Sequence, residues 1–155
     1  MAKAREISGL EPGDAYRQVA VRVVEARAAE MFDHAEGVLD IGDIERLHDM
    51  RVATRRLRAA LEIFAPCFNE ERFGAVLTQV KSLADALGVR RDRDVALVTF
   101  DGFAGELAAA DRRGIEGLAS EFRSEQASAN EALVEVVSPQ RLQALSDEIA
   151  ELVGR

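Results

Sequence analysis

The chain has 155 residues, 48% hydrophobic and 31% charged, enough for one domain with a real core and without staples. Its net charge of −8 excludes a general nucleic-acid binder, whose affinity rests on a basic surface. The single cysteine, Cys67, excludes an internal disulfide and a thiolate metal cage, and the absence of any apolar run near the ~18 residues of a membrane span excludes a membrane partner.

The N-terminus, Met1-Ala2-Lys3-Ala4-Arg5-Glu6, leads into no apolar signal region, so the expected location is cytoplasmic, with residues 1–11 as a flexible lead-in to a single domain spanning residues 1–155. The periodicity that follows is helical nearly throughout. A first helix is expected from near Pro12-Gly13-Asp14, with an apolar stripe through Tyr16, Ala20, Val23, Val24, Met31, Ala35 and Val38 that fades at Gly37 and Gly42. Asp43 can cap a second helix, from about Ile44 to Phe64, which Pro66 stops. Cys67 beyond it reads as a buried thiol.

Asn69 caps a third helix, with Glu70 and Glu71 set against its dipole, and Gly88 looks like its C-terminal cap. Asp92 or Asp94 then starts a short fourth helix, weakened by Gly102 and Gly105, and a fifth runs from about Ile115 to Val137. Ser138-Pro139 caps and opens a last amphipathic segment carrying Leu142, Leu145, Ile149 and Leu152. Short connections between amphipathic helices favour an all-α fold, an antiparallel four-helix bundle with short extra helices.

Charge is unevenly spread. Residues 1–44 carry five basic and nine acidic side chains, residues 45–93 ten and seven, and residues 94–155 five and twelve. A basic island in an acidic chain suits one particular anion while the remainder repels indiscriminate polyanion contacts. On the second helix, Leu47, Met50, Ala53, Thr54, Leu57, Leu61 and Phe64 gather on one side at about 100° per residue. His48, Arg51, Arg55 and Arg58 gather on the other, spaced i, i+3, i+7 and i+10, a ladder of about 15 Å.

Like charges at such spacings repel by a few tenths of a kcal/mol per pair, and a bound anion reverses the sign. Guanidinium presents planar, forked donors that match phosphate oxygens, and His48 adds a titratable one, so anion binding through it should strengthen as pH falls through the histidine range. The rival reading is a solvated face paired to neighbouring carboxylates. Against it, Asp49 points away and Glu62 alone is in register; Arg56 points elsewhere. Lys81, at the edge of the third helix's stripe, reads as a boundary lysine that can extend the site, and the Arg90-Arg91-Asp92-Arg93-Asp94 cluster adds cations beside a helix start that itself favours anions.

These segments resemble the CHAD family, the conserved histidine α-helical domain. The match lies in His48-Asp49-Met50-Arg51-Val52-Ala53-Thr54-Arg55-Arg56-Leu57-Arg58 and in Leu87-Gly88-Val89-Arg90-Arg91-Asp92-Arg93-Asp94-Val95, and Ser138-Pro139-Gln140-Arg141-Leu142 is similar to the segment closing the first half of such domains. The resemblance implies a non-catalytic domain that binds inorganic polyphosphate and is often found with polyphosphate granules. Carried onto this chain, it implies His48, Arg51, Arg55, Arg58, Lys81 and Arg91 as ligands, Arg56 and Arg90 as secondary ones, and Asp92 and Asp94 as capping and orienting groups. Typical members pair two similar halves around a basic channel; this chain matches the first half, so it is either a fragment or a half-length protein, and for the latter a homodimer is expected to rebuild the channel.

No enzyme, metal or cofactor is expected. The dipeptide His48-Asp49 also occurs in metal-dependent phosphohydrolases, but those need further histidines, and His34 is the only other one. No Gly-rich phosphate loop appears. The alternative from another class is a helical scaffold whose arginine ladder docks an acidic protein.

Overall fold

The computed structural model describes residues 3–154, and among them the chain is all-α: five α-helices, one 3-10 turn and no strand. Helix α1 (Tyr16–Asp33) buries Ala20, Val24, Ala28 and Met31 on one side. It ends before the apolar stripe does. Gly37 turns the chain at a φ of +73°, where a Cβ would stand 2.7 Å from the Arg46 side chain, and Val38 enters the core from the loop instead of from the helix. In the segment expected to be flexible, Arg5 is tied to α1, its side chain donating to Asp33 and its backbone N–H to Glu30. Met1 and Ala2 of that segment lie outside the described residues.

Helix α2 (Ile44–Ile63) buries Leu47, Met50, Ala53, Thr54, Leu57, Ala60 and Leu61, the side expected. Asp43 does not cap it. The Asp43 carboxylate accepts from Arg46 Nε at 3.1 Å instead. The turn Ala65–Cys67 carries Pro66, and Cys67, expected as a buried thiol, is half-buried there.

Helix α3 (Glu70–Glu106) corrects the largest sequence expectation: one helix of 37 residues replaces a helix ending at Gly88 and a second starting at Asp92 or Asp94. A glycine inside a helix costs about 1 kcal/mol relative to alanine. The burial repeat runs through it without a phase break, as Val76, Val80, Leu83, Leu87, Arg90, Asp94 and Leu97, and that continuity outweighs the local cost. At its start Asn69 caps as expected, accepting from the Arg72 N–H at 3.1 Å.

Helix α4 (Ala109–Val136) begins earlier than the Ile115 expected, and α5 (Pro139–Val153) opens on the Ser138 cap, which accepts from the Arg141 N–H at 3.4 Å. The left-handed Gly154, at φ +91°, closes α5. Helices α1, α2, α3 and α5 form a ring of neighbours, and α4 lies along α3. Pairs such as Arg93–Glu125 at 3.1 Å and Gln79–Glu148 at 2.5 Å show α4 and then α5 running down α3 in one direction. Among the described residues the short extra helical element is the 3-10 turn Ala65–Cys67, and a long α3–α4 hairpin takes the place of the short fourth helix expected. Truncating a fully buried leucine such as Leu57 or Leu87 to alanine should cost about 2–5 kcal/mol. Among the described residues no helix is long and apolar enough to cross a membrane.

Candidate functional site

Helices α2 and α3 run antiparallel, and three contacts set their register. Near the start of α2, Arg91 Nη1 donates to the Ile44 carbonyl at 3.3 Å, and Nη2 lies 3.7 Å from Glu45. In the middle, Arg51 passes over Gly88, where a Cβ would stand 3.8 Å from its Nε. At the far end, Lys81 Nζ approaches Glu62 at 3.9 Å. With the core side of α2 turned inward, Arg51 and Arg58 on α2 and Lys81 and Arg91 on α3 thus line one seam, and the helical spacing sets His48 and Arg55 on the same face of α2 as Arg51 and Arg58.

The cations of this seam are in unequal states. Arg58 donates to Glu62 at 3.0 Å, and the same Glu62 oxygen serves Lys81, so the carboxylate in register with the ladder closes one end. Glu45 faces Arg91 at the other. Between them, Arg51 and Arg55 make no ion pair and no side-chain hydrogen bond among the described residues. Arg55 is exposed beside a shallow hollow lined by Val52, Arg56 and Ala59. Two uncompensated guanidiniums one helical turn apart destabilise each other modestly and attract any anion that can bridge them.

His48 is half-buried, with Nδ1 sealed from solvent and without a hydrogen-bond partner. Its imidazole is not acid-free: Glu45, His48 and Asp49 bring ligand atoms within 4.8 Å of one another, so Asp49 does not point away as expected. They are the one trio among the described residues spaced to hold a metal ion, though Glu45 also faces Arg91.

Two arginines expected as secondary ligands serve the interior. Arg56 donates to Glu30 of α1, whose other oxygen accepts from Arg27 Nη1 at 2.5 Å. Glu30 is 3% exposed. Burial pushes its pKa up, but the hydrogen bonds from Arg27, Arg56 and the Arg5 backbone outweigh that, and the carboxyl sits below its ordinary range.

Arg90 is the clear correction. Its side chain is 0% exposed, with Nε donating to Asp94 Oδ1 at 2.8 Å and Nη1 donating to Asn130 Oδ1, so it cannot meet a surface ligand. Gln126 donates to the same Asp94 oxygen at 2.6 Å, and Asn130 donates to the Leu39 carbonyl at 3.1 Å. The network ties α3, α4 and the α1–α2 loop together, while Arg90 Nη2 and Asp94 Oδ2 remain unpartnered. Asp94 orients an arginine, as expected, but neither it nor Asp92 caps a helix, because both lie inside α3. The anion-attracting helix start expected there does not exist.

Sequence reasoning missed Glu30, Gln126 and Asn130 as partners. The available signal was the position of Arg90 and Asp94 on the apolar repeat of α3, where a charge needs a buried counterpart. The family model described as CHAD domain matches residues 22–155. No curated protein matches the chain.

Proposed function

The chain belongs to the CHAD domain family, and from that premise we propose that it binds inorganic polyphosphate through the α2–α3 seam, without chemistry of its own. The observation that carries the reading is the unpaired state of Arg51 and Arg55 on successive turns of α2. Forked guanidinium donors suit phosphate oxygens, and a chain of phosphates presents them in succession. Arg58, Lys81 and Arg91 extend the seam, because their ion pairs are exposed on at least one side and such pairs are individually weak. His48 contributes at the α2 start. Binding of this kind would recruit the chain to polyphosphate granules in the cytoplasm.

One seam engages only a few phosphates, so two copies sharing one polymer are the proposed working form, with nucleic acid a poor substitute. Sedimentation with and without polyphosphate tests this; monomer under both conditions contradicts the dimer. The second reading is an acidic protein partner, supported by Glu62, which shows that a carboxylate fits Arg58 and Lys81.

Calorimetric titration at fixed salt separates the two. Binding that tightens with phosphate chain length, falls in Arg51→Ala/Arg55→Ala and is absent for duplex DNA supports polyphosphate. Chain-length-independent or undetectable binding favours the protein-docking reading.

A further inference from the structure

We propose that Glu62, assisted by Glu45, is an internal counter-ion that closes the ends of the seam and limits the affinity that longer phosphate chains gain from it. The inference rests on the polyphosphate reading above. Of the five permanent cations along the seam, three face a carboxylate of the chain itself: Arg58 and Lys81 face Glu62, and Arg91 faces Glu45. The two without one among the described residues, Arg51 and Arg55, lie between them. The open part of the ladder is four residues long, about 6 Å, against about 15 Å for the whole.

A short phosphate chain can sit on Arg51 and Arg55 without meeting either carboxylate. A longer one reaches Arg58 and Lys81 only by displacing Glu62, which repels it until displaced. Glu62 is suited to that exchange. It is 44% exposed, as are its partners at 41% and 43%, so the ion pairs are screened and weak, and solvent already reaches all three groups. One oxygen holds both cations, so a single side-chain rotation frees two charges for the ligand together.

Glu45 is the lesser counter-ion. It faces one cation, at 3.7 Å, and Arg91 is only 17% exposed and is additionally anchored to the Ile44 carbonyl. Long chains therefore meet at Glu62 a cost that short chains never encounter. The seam therefore gains less from a longer chain than its full set of cations would give, because part of its charge is held by Glu62 until a ligand displaces it.

The test compares wild type with Glu62→Gln, which keeps the shape and removes the charge. Glu121→Gln, an exposed α4 position, makes the same change of net charge away from the seam. Each is titrated with inorganic triphosphate and with long-chain polyphosphate at several salt concentrations. Glu62→Gln should bind the long polymer about two- to fivefold more tightly, the range of an exposed ion pair. Its log K against log salt should steepen by about one phosphate contact. Triphosphate affinity should stay within about twofold of wild type, as should both affinities of Glu121→Gln.

A gain of affinity cannot arise from misfolding. Unchanged long-chain affinity in Glu62→Gln, an equal gain for triphosphate, or the same gain in Glu121→Gln overturns the counter-ion role. If wild type binds and Arg51→Ala/Arg55→Ala does not, those results leave the binding site standing. If wild type binds neither polymer, the site reading and this inference fall together.

Discussion

Arg51, half-buried, and Arg55, exposed, stand on α2 with no carboxylate among the described residues to meet them, whereas Arg90, on the adjoining helix, is sealed against Asp94 and Asn130. The same side chain serves opposite ends because the environment around it differs. At the surface a guanidinium without a partner costs little, since water solvates it, and its free donors remain available to a ligand. In the interior the same group would be prohibitive without Asp94, so the pair, with Asn130 and Gln126, fixes the junction of α3, α4 and the α1–α2 loop. Arg56 falls on the interior side of this division through Glu30, although it neighbours Arg55 in sequence. The seam contrasts with the network in reversibility: its carboxylates are exposed and exchangeable.

Substitutions should separate the two regions cleanly. The largest effect is expected for Arg51→Ala/Arg55→Ala: polyphosphate affinity falls on the order of 100-fold or more, as charged hydrogen bonds contribute about 1.5–3 kcal/mol each. Its unfolding free energy by urea titration stays within about 0.5 kcal/mol of wild type. The reverse pattern is expected in the interior. Arg90→Met should lose about 3–5 kcal/mol of stability by leaving Asp94 buried and unpaired, and Arg90→Met/Asp94→Leu should recover part of that loss. Polyphosphate titrated against the folded fraction of Arg90→Met should give near-wild-type affinity.

A smaller effect belongs to Glu30. Its folded pKa lies below the ordinary 4.5, so its contribution to stability is fully present above that value and is lost as pH falls through the folded pKa. Glu30→Gln should therefore show a flatter loss of stability below about pH 4.5 than wild type in thermal melts across pH. The smallest effect is Ser138→Ala. It removes the α5 cap at a cost of about 1 kcal/mol and leaves polyphosphate affinity unchanged in the same titrations.

What was legible in the sequence follows the division between local and tertiary causes. The α2 stripe, the Asn69 and Ser138 caps and the Pro66 stop depend on neighbours a few residues away, and each was readable. Gly88 was misread because a glycine is a local stop signal, whereas the continuity of α3 comes from packing on both sides of it, including Arg51 lying across its bare surface. The end of α1 was misread for the converse reason: the apolar stripe continued to Val38, but the positive φ of Gly37 turned the chain first.

At the seam, spacing alone placed His48, Arg51, Arg55 and Arg58 on one face, the family resemblance named Lys81 and Arg91, and the fold sets those two against the ends of α2. Arg90 was not separable from Arg91 by composition. Only their different angles on α3 send one to the interior and the other to the seam.

Phosphate binding by the guanidiniums of the seam, and not by the buried Arg90, is followed through the arginine Nε–H resonances during titration with long-chain polyphosphate. Arg51 and Arg55 should shift first, Arg58 and Arg91 should follow as Glu62 and Glu45 are displaced, and Arg90 should stay in place throughout. Shifts confined to arginines outside the seam, such as Arg112 and Arg113 on α4, or no shift at Arg51 and Arg55 at saturation, would contradict binding at the seam.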